Sequence, residues 1–338
     1  MEDPKMAELD ILFFAGDVFD DLATLANENI WEVKAWVARV LRFCKKNNII
    51  LRVLEGTPSH DWKQSNLFPV INEIAEIGAD IKHVKELSIE YIEPIGITVL
   101  YVPDEWGPPD TTKSQIQDLL KARGIDRVDI AVMHGQFPHQ LPAHVTAPTH
   151  DPEFYLSIVR FFIFIGHVHT TTRYDRIIAQ GSHDRTAHGE EEPKGFYQFE
   201  IDKVSGENFA TFVENVGAQV YLTISCRGMD LDDTLKQINT RVAQLPELSF
   251  VRVEADANNP IFANMDVLIR KWPMQTWSKL PRKEEKELKE ELENEELLYT
   301  PLTITRDNIT DLLNTRLLKV GLQEDQLTIA NTILRELL

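Results

Sequence analysis

Cysteine is scarce in this sequence: Cys44 and Cys226 are the only two among 338 residues. They stand far apart, which argues against a disulfide framework and against a cysteine-based zinc site, and fits a reducing interior. Long apolar runs are missing too. None approaches the roughly 20 residues needed to cross a bilayer, and no signal peptide is read at the start. A cytoplasmic protein without membrane contact is expected. Positive charge is also short, with 35 Lys and Arg against 54 Asp and Glu, a formal net charge of −19. That balance argues against broad nucleic-acid binding by the chain's own surface, because phosphates attract basic faces. It leaves room for a nuclease in which metal ions supply positive charge locally.

The remainder is ordinary globular material, 43% apolar and 26% charged, long enough for two or three domains. Over residues 9 to 202, short apolar β-rich runs ("ILFFA", "IILRVL", "ITVLYV", "VDIAVM", "FFIFIG") alternate with amphipathic stretches. Runs apolar on both faces suit strands covered on both sides. Between the first two, Ile30, Val33, Val37, Val40, Leu41 and Cys44 recur at helical spacing. "FPVINEIAEIG" predicts a second helix ending at Gly78. Such alternation predicts an α/β layered domain. Residues 205 to 275 read as a separate small β-α-β unit: strand "AQVYLTISCRG", helix "DLDDTLKQINTRVAQL", strand "LSFVRVEAD". Residues 282 to 297 are charged almost throughout and read as a solvated helix or linker. Two short amphipathic helices broken at Gly321 close the chain, too small to fold alone.

Four strand ends carry side chains able to bind metal. They are Gly16-Asp17, followed by Asp20 and Asp21; "EGTPSHDW" with Ser59, His60 and Asp61; "MHGQF" with His134; and "GHVHTTTR" with His167 and His169. Strand C-terminal edges are where open α/β sheets gather their sites, and imidazole with carboxylate suits Mn, Fe or Zn. His167 and His169, two apart, would project to the same side of an extended segment. Each signal is weak alone, since Gly-Asp is common in turns and His-x-His could be two loop histidines. Together, in this order, they are specific. His83, His139, His144, His150 and His188 lie outside the pattern and read as surface histidines. Trp106 could stack on a base but reads rather as a core or loop-anchoring residue.

The order Gly-Asp, Gly-x-His-Asp, His-Gly, Gly-His-x-His resembles the calcineurin-like metallophosphoesterases. A fifth stretch, "QGSHDRTAHGEEEPKGFYQFEI" at 180 to 201, narrows the resemblance to the SbcD-type nuclease subunits of SbcC–SbcD double-strand-break repair complexes. The resemblance implies a two-sheet sandwich flanked by helices over residues 1 to 202, a small α+β DNA-capping domain over 203 to 277, and a charged linker with C-terminal helices over 278 to 338 that grip an SbcC-like ATPase. It implies two Mn ions: Asp17 bridging them, His134 and His167 on the second, His169 on the first, and His60 assisting the leaving oxygen or steadying the scissile phosphate. The family's metal-binding Asn is absent, and Ser59 is expected to stand in for it. DNA, the ATPase and a second copy of the chain, within a heterotetramer, are the implied partners, with "NLFPVINEIAEIG" the implied dimer helix.

One departure is large. The family opens with an Asp-x-His pair before Gly-Asp, and "MEDPKMAEL" contains no histidine. The chain is therefore expected to be either an N-terminally shortened form of a longer protein, the favoured reading, or a natural variant with at most one good metal site. The leading expectation is a Mn-dependent DNA exonuclease and endonuclease. Its rivals are a catalytically impaired DNA-end scaffold for the ATPase and a small-molecule phosphodiesterase.

Overall fold

The computed structural model describes residues 4–22, 30–104, 108–142, 145 and 147–282, with the single positions 310, 313, 314 and 331. The charged stretch after 282, the broken terminal helices, Trp106 and His144 lie outside the described residues. Packing divides the chain into residues 1–254 with 260–280, and residues 255–259 with 281–338.

The first body is a mixed α/β assembly containing several sheets. β1 (Ile11–Phe14) is followed by α1 (Ile30–Asn47), β2 (Ile50–Leu54), α2 (Leu67–Ile74) and β3 (Ile81–Val84). These strands form a parallel three-stranded sheet in the order β1-β2-β3. Next come β4 (Ser88–Ile92), β5 (Ile97–Val102), α3 (Pro109–Arg123), β6 (Val128–Gly135), α4 (Pro152–Ile158), β7 (Val159–His167), β8 (Thr172–Tyr174) and β9 (Ile177–Ala179). They build a six-stranded sheet, β4-β5-β6-β7-β9-β8, parallel at its centre.

The period-two alternation of a strand decides which layer each residue enters. Ile11, Ile50 and Leu54 of the small sheet pack with Ile97, Val99, Tyr101, Ile130 and Val132 of the large one, closing a core between the sheets. The alternate residues Leu12, Phe14, Leu51 and Val53 pack under Val37, Val40, Leu41 and Cys44 of α1 and Phe68 of α2. On the far face of the large sheet, Leu100, Val102, Ala131, Met133, Ile163 and Ile165 meet Ile116 and Leu120 of α3 and Phe154 and Ile158 of α4. The order is thus helices, sheet, sheet, helices. Arg52, nearly buried in β2, forks onto Glu90 of β4 at 3.0 and 3.1 Å and onto Asp80 at 2.8 Å. An ion pair this dry is stable only because its donors are satisfied.

β10 (Gly195–Ile201) and β11 (Asn208–Glu214) form a hairpin. Beyond it, β12 (Tyr221–Ser225) and β13 (Phe250–Asp256) run parallel, connected by α5 (Leu231–Val242), which Asp230 caps through the Asp233 amide. This is the β-α-β unit that the sequence predicts. After α6 (Met265–Lys271) comes an unpredicted third strand, β14 (Thr276–Arg282). Both cysteines are free and buried, and burial pushes the Cys44 thiol up to about 11 and raises that of Cys226. Among the described residues, no helix is long and apolar enough to cross a membrane.

Phe68 is 0% exposed and packs against Phe14 and Trp36 at ring-centroid distances of 5.8 and 5.9 Å. Phe68→Ala is expected to cost about 3–5 kcal/mol in denaturant-monitored unfolding; a loss below ~1 kcal/mol would mean this layer is not a packed core.

Candidate metal centre

Two loops and two strand ends converge at the C-terminal edge of the sheets. β1 runs into Gly16 and Asp17, which both take positive φ, 83° and 49°. The Gly16 conformation is required on two counts: φ favours glycine there, and a β-carbon would overlap the His134 ring. β6 delivers His134, buried, with Nδ1 donating to the Ala15 carbonyl at 2.7 Å. That bond leaves Nε2 as the nitrogen facing Asp17 Oδ2, 3.1 Å away. β7 ends on His167 at φ 100°, a strained value for a residue with a side chain and one that tends to mark functional positions. Asp17, His134 and His167 each offer a ligand atom, all within 4.8 Å of one another.

A fourth donor completes the cluster. Thr57 follows Gly56 at the end of β2; its amide donates to Asp17 Oδ1 at 2.6 Å and its hydroxyl to Asp17 Oδ2 at 3.1 Å. The same hydroxyl oxygen lies 3.1 Å from His134 Nε2 and 3.3 Å from His167 Nδ1. Neighbouring donors around a four-coordinate ion with bonds of ~2.0 Å stand ~3.3 Å apart. The Thr57 contacts and the Asp17–His134 pair match that spacing, His167 lies within 4.8 Å of both, and the mixture of imidazole, carboxylate and hydroxyl suits a borderline divalent cation.

Thr57, and not Ser59, is thus the side chain at the cluster. The amides of His60 and Asp61 both bond back to the Thr57 carbonyl, at 2.9 and 2.8 Å, curling 57–61 into a turn that leaves Ser59 exposed. Sequence reasoning chose Ser59, the residue next to His60, and passed over Thr57; its position directly after the strand-end glycine was the available signal. His60 is tied to the loop after β1, its Nδ1 donating to the Asp20 carbonyl, and its charge acts on Asp17. Asp61 is buried and accepts from the Gly56 amide and the Val18 amide, both at 3.1 Å, so it clamps the ends of β1 and β2 together. His169 stands apart from the three-residue cluster. The left-handed turn at His167 ends the extended geometry that would have placed both histidines on one side, and His169 Nδ1 pairs instead with Glu190 Oε1 at 2.7 Å.

Two histidines predicted at the surface are not there. His83 has a side chain 1% exposed and pairs with Glu55 at 2.5 Å. His150 sits beside Gly135 and meets the Tyr155 hydroxyl at 3.2 Å; burial lowers its pKa to about 4. It lines a cleft of about 290 Å³ with Asp104, Gln136, His134 and His167.

Burial opposes charge at both members of the central pair, and the pairing prevails. Desolvation works against ionised Asp17, yet the His134 hydrogen bond and charge and the Thr57 amide hold its carboxyl below the usual range. Desolvation likewise works against protonated His134, but Asp17 raises it above an ordinary histidine. His167 is lowered by burial and by the charge of His134. Burial and the nearby Asp17 charge push Asp61 up to about 6. No protein-family model matches the chain, and no curated protein matches it either.

A cation must displace the His134 proton. In the metal-free protein, the stability this proton lends is complete below the ordinary histidine pKa and fades as pH rises through the raised one. Affinity for Mn or Zn is therefore expected to climb as pH rises past about 6.5. Thr57→Val, which removes a donor at constant shape, should weaken it on the order of tenfold. Calorimetric titration across pH reads both; affinity that ignores Thr57 would place the cation elsewhere.

Proposed function

We propose that this chain is a metal-dependent phosphodiesterase acting on DNA ends, a Mn-dependent nuclease subunit working with an SbcC-type ATPase. The observation that carries the reading is the convergence of Asp17, Thr57, His134 and His167 donors from four strand ends on one small space. The layer order of two sheets between helices supports a metallophosphoesterase sandwich, and the parallel β-α-β unit supports a capping domain. A DNA-cutting enzyme with this acidic a surface would draw its positive potential from the cation and from its partner.

In this reading Asp17, His134 and His167, with Thr57, hold one divalent cation. When bound, it supplies Lewis acidity toward a phosphoryl oxygen and lowers the pKa of water to near neutrality. The chain's own residues do the rest. The Ala15 carbonyl fixes the His134 tautomer, so Nε2 offers its lone pair. Asp61 keeps the loops carrying Asp17 and Thr57 in register. His60, held by the Asp20 carbonyl, is the group for a leaving oxygen or a scissile phosphate. His134→Ala or His167→Ala should abolish Mn-dependent cleavage of linear double-stranded DNA, with the ATPase present or absent, while circular dichroism stays native. Cleavage surviving either change would refute the assignment.

We also propose that the exposed face of α2 joins two copies. Ile74 is 77% exposed, and Val70 and Trp62 are exposed nearby along a shallow apolar groove. Unpaired apolar surface of this kind marks interaction sites. Sedimentation should find a dimer for the native chain and a monomer for Ile74→Asp; a native monomer at tens of micromolar would end this proposal.

A further inference from the structure

The stretch from Gly181 to Lys194 has no assigned chemistry, yet it surrounds one residue. Around His169, the carbonyl accepts from the Ser182 amide at 3.0 Å and from Lys194 Nζ at 3.0 Å. Gly181 packs so close to that carbonyl that a β-carbon would come within 2.5 Å of it. The ring is held as firmly as the backbone. Its Nδ1 lies 2.7 Å from Glu190 Oε1, while Glu190 Oε2 receives the Ser182 hydroxyl at 3.3 Å and faces Lys194 Nζ at 3.2 Å. Lys194 also donates to Glu192 Oε1 at 2.8 Å.

A lysine whose side chain is 0% exposed is costly unless its charge is fully used. Here the ammonium donates to the His169 carbonyl and to Glu192, and Glu190 Oε2 faces it as an ion pair at 3.2 Å. The ring itself stays reachable, with its side chain 44% exposed. A carboxylate on Nδ1 favours the tautomer in which Nδ1 carries the proton and Nε2 keeps its lone pair, the arrangement that orients metal-binding histidines elsewhere.

We infer that Glu190, braced by Lys194 and Ser182, is a positioning residue that fixes the His169 ring with Nε2 available to a divalent cation. The inference deepens the metal-dependent reading and rests on it for the identity of the ligand. The "GSHDR…GEEEPKG" stretch is then the cradle of one imidazole.

The test uses the full chain, metal-free, labelled with ¹⁵N-histidine, at pH about 8, where an ordinary imidazole is neutral. His169 is assigned by the signal lost in His169→Gln. The native ring should show a protonated Nδ1 and an unprotonated Nε2. Glu190→Ala should shift it toward a tautomer mixture in the same spectra. Glu190→Gln, whose carbonyl still accepts from Nδ1, should restore the native pattern. Lys194→Met should loosen the ring as Glu190→Ala does. A native ring protonated on Nε2, or an unchanged pattern in Glu190→Ala, would overturn the inference. Because the ring is read without metal, a native ring protonated on Nε2 overturns the inference even if Glu190→Ala does not fold, and the test separates from the metal-dependent reading: a protein with the expected tautomer that binds no Mn would fail the latter alone.

Discussion

The Ala15 carbonyl is the point on which the candidate centre depends. It accepts the His134 Nδ1 proton, and the α-carbon of Gly166 packs so tightly beside it that no side chain could be added there. One oxygen therefore joins the ends of β1, β6 and β7, fixing both the distance between strands and the tautomer of the central imidazole. Buried backbone carbonyls must be satisfied, and in most sheets the satisfaction is another backbone amide. Using a histidine instead couples the packing of two sheets to the electronic state of a ligand.

The electrostatics follow from that coupling. Asp17 and His134 are each opposed by burial and each rescued by the other, so neither can be replaced without leaving a dry, uncompensated partner. Asp61, a third acid in the same place, stays tolerable by spending both oxygens on backbone amides, Gly56 and Val18. Glu55, next to the cluster loop, pairs with His83 at 2.5 Å, and its charge adds to the rise at Asp61. Strain at His167 and the left-handed Asp17 are the conformational cost of gathering these groups.

Much of the layer pattern was legible in the sequence, because β2, β5, β6 and β7 are apolar on both faces and α1 repeats at helical spacing. Elements with weak periodicity escaped: β3 and β4 mix polar and apolar residues ("IKHV", "SIEYI"), and β8 and β9 are three residues long. α3 was missed although Pro109 and Gly124 bracket it. At the centre, residue types in order revealed Asp17, His134 and His167, since each follows a strand. Thr57 left only its place after the strand-end glycine as a signal, and preferring it to Ser59, like the separation of His169, depends on local backbone: a turn that carries Ser59 outward, and one left-handed residue that breaks an extended run. Ion pairs such as Glu55 with His83 join residues far apart in sequence and leave no local trace.

The two sealed thiols have a practical meaning. Nucleophilic attack needs thiolate, and neither Cys44, on the buried face of α1, nor Cys226, after β12, offers it while the surrounding layers stay closed. Alkylating reagents should therefore react only through transient opening, one sulfur reporting on the helix layer over the small sheet and the other on the β-α-β unit. The molecule carries its own pair of clocks for local breathing, with no added cysteine needed.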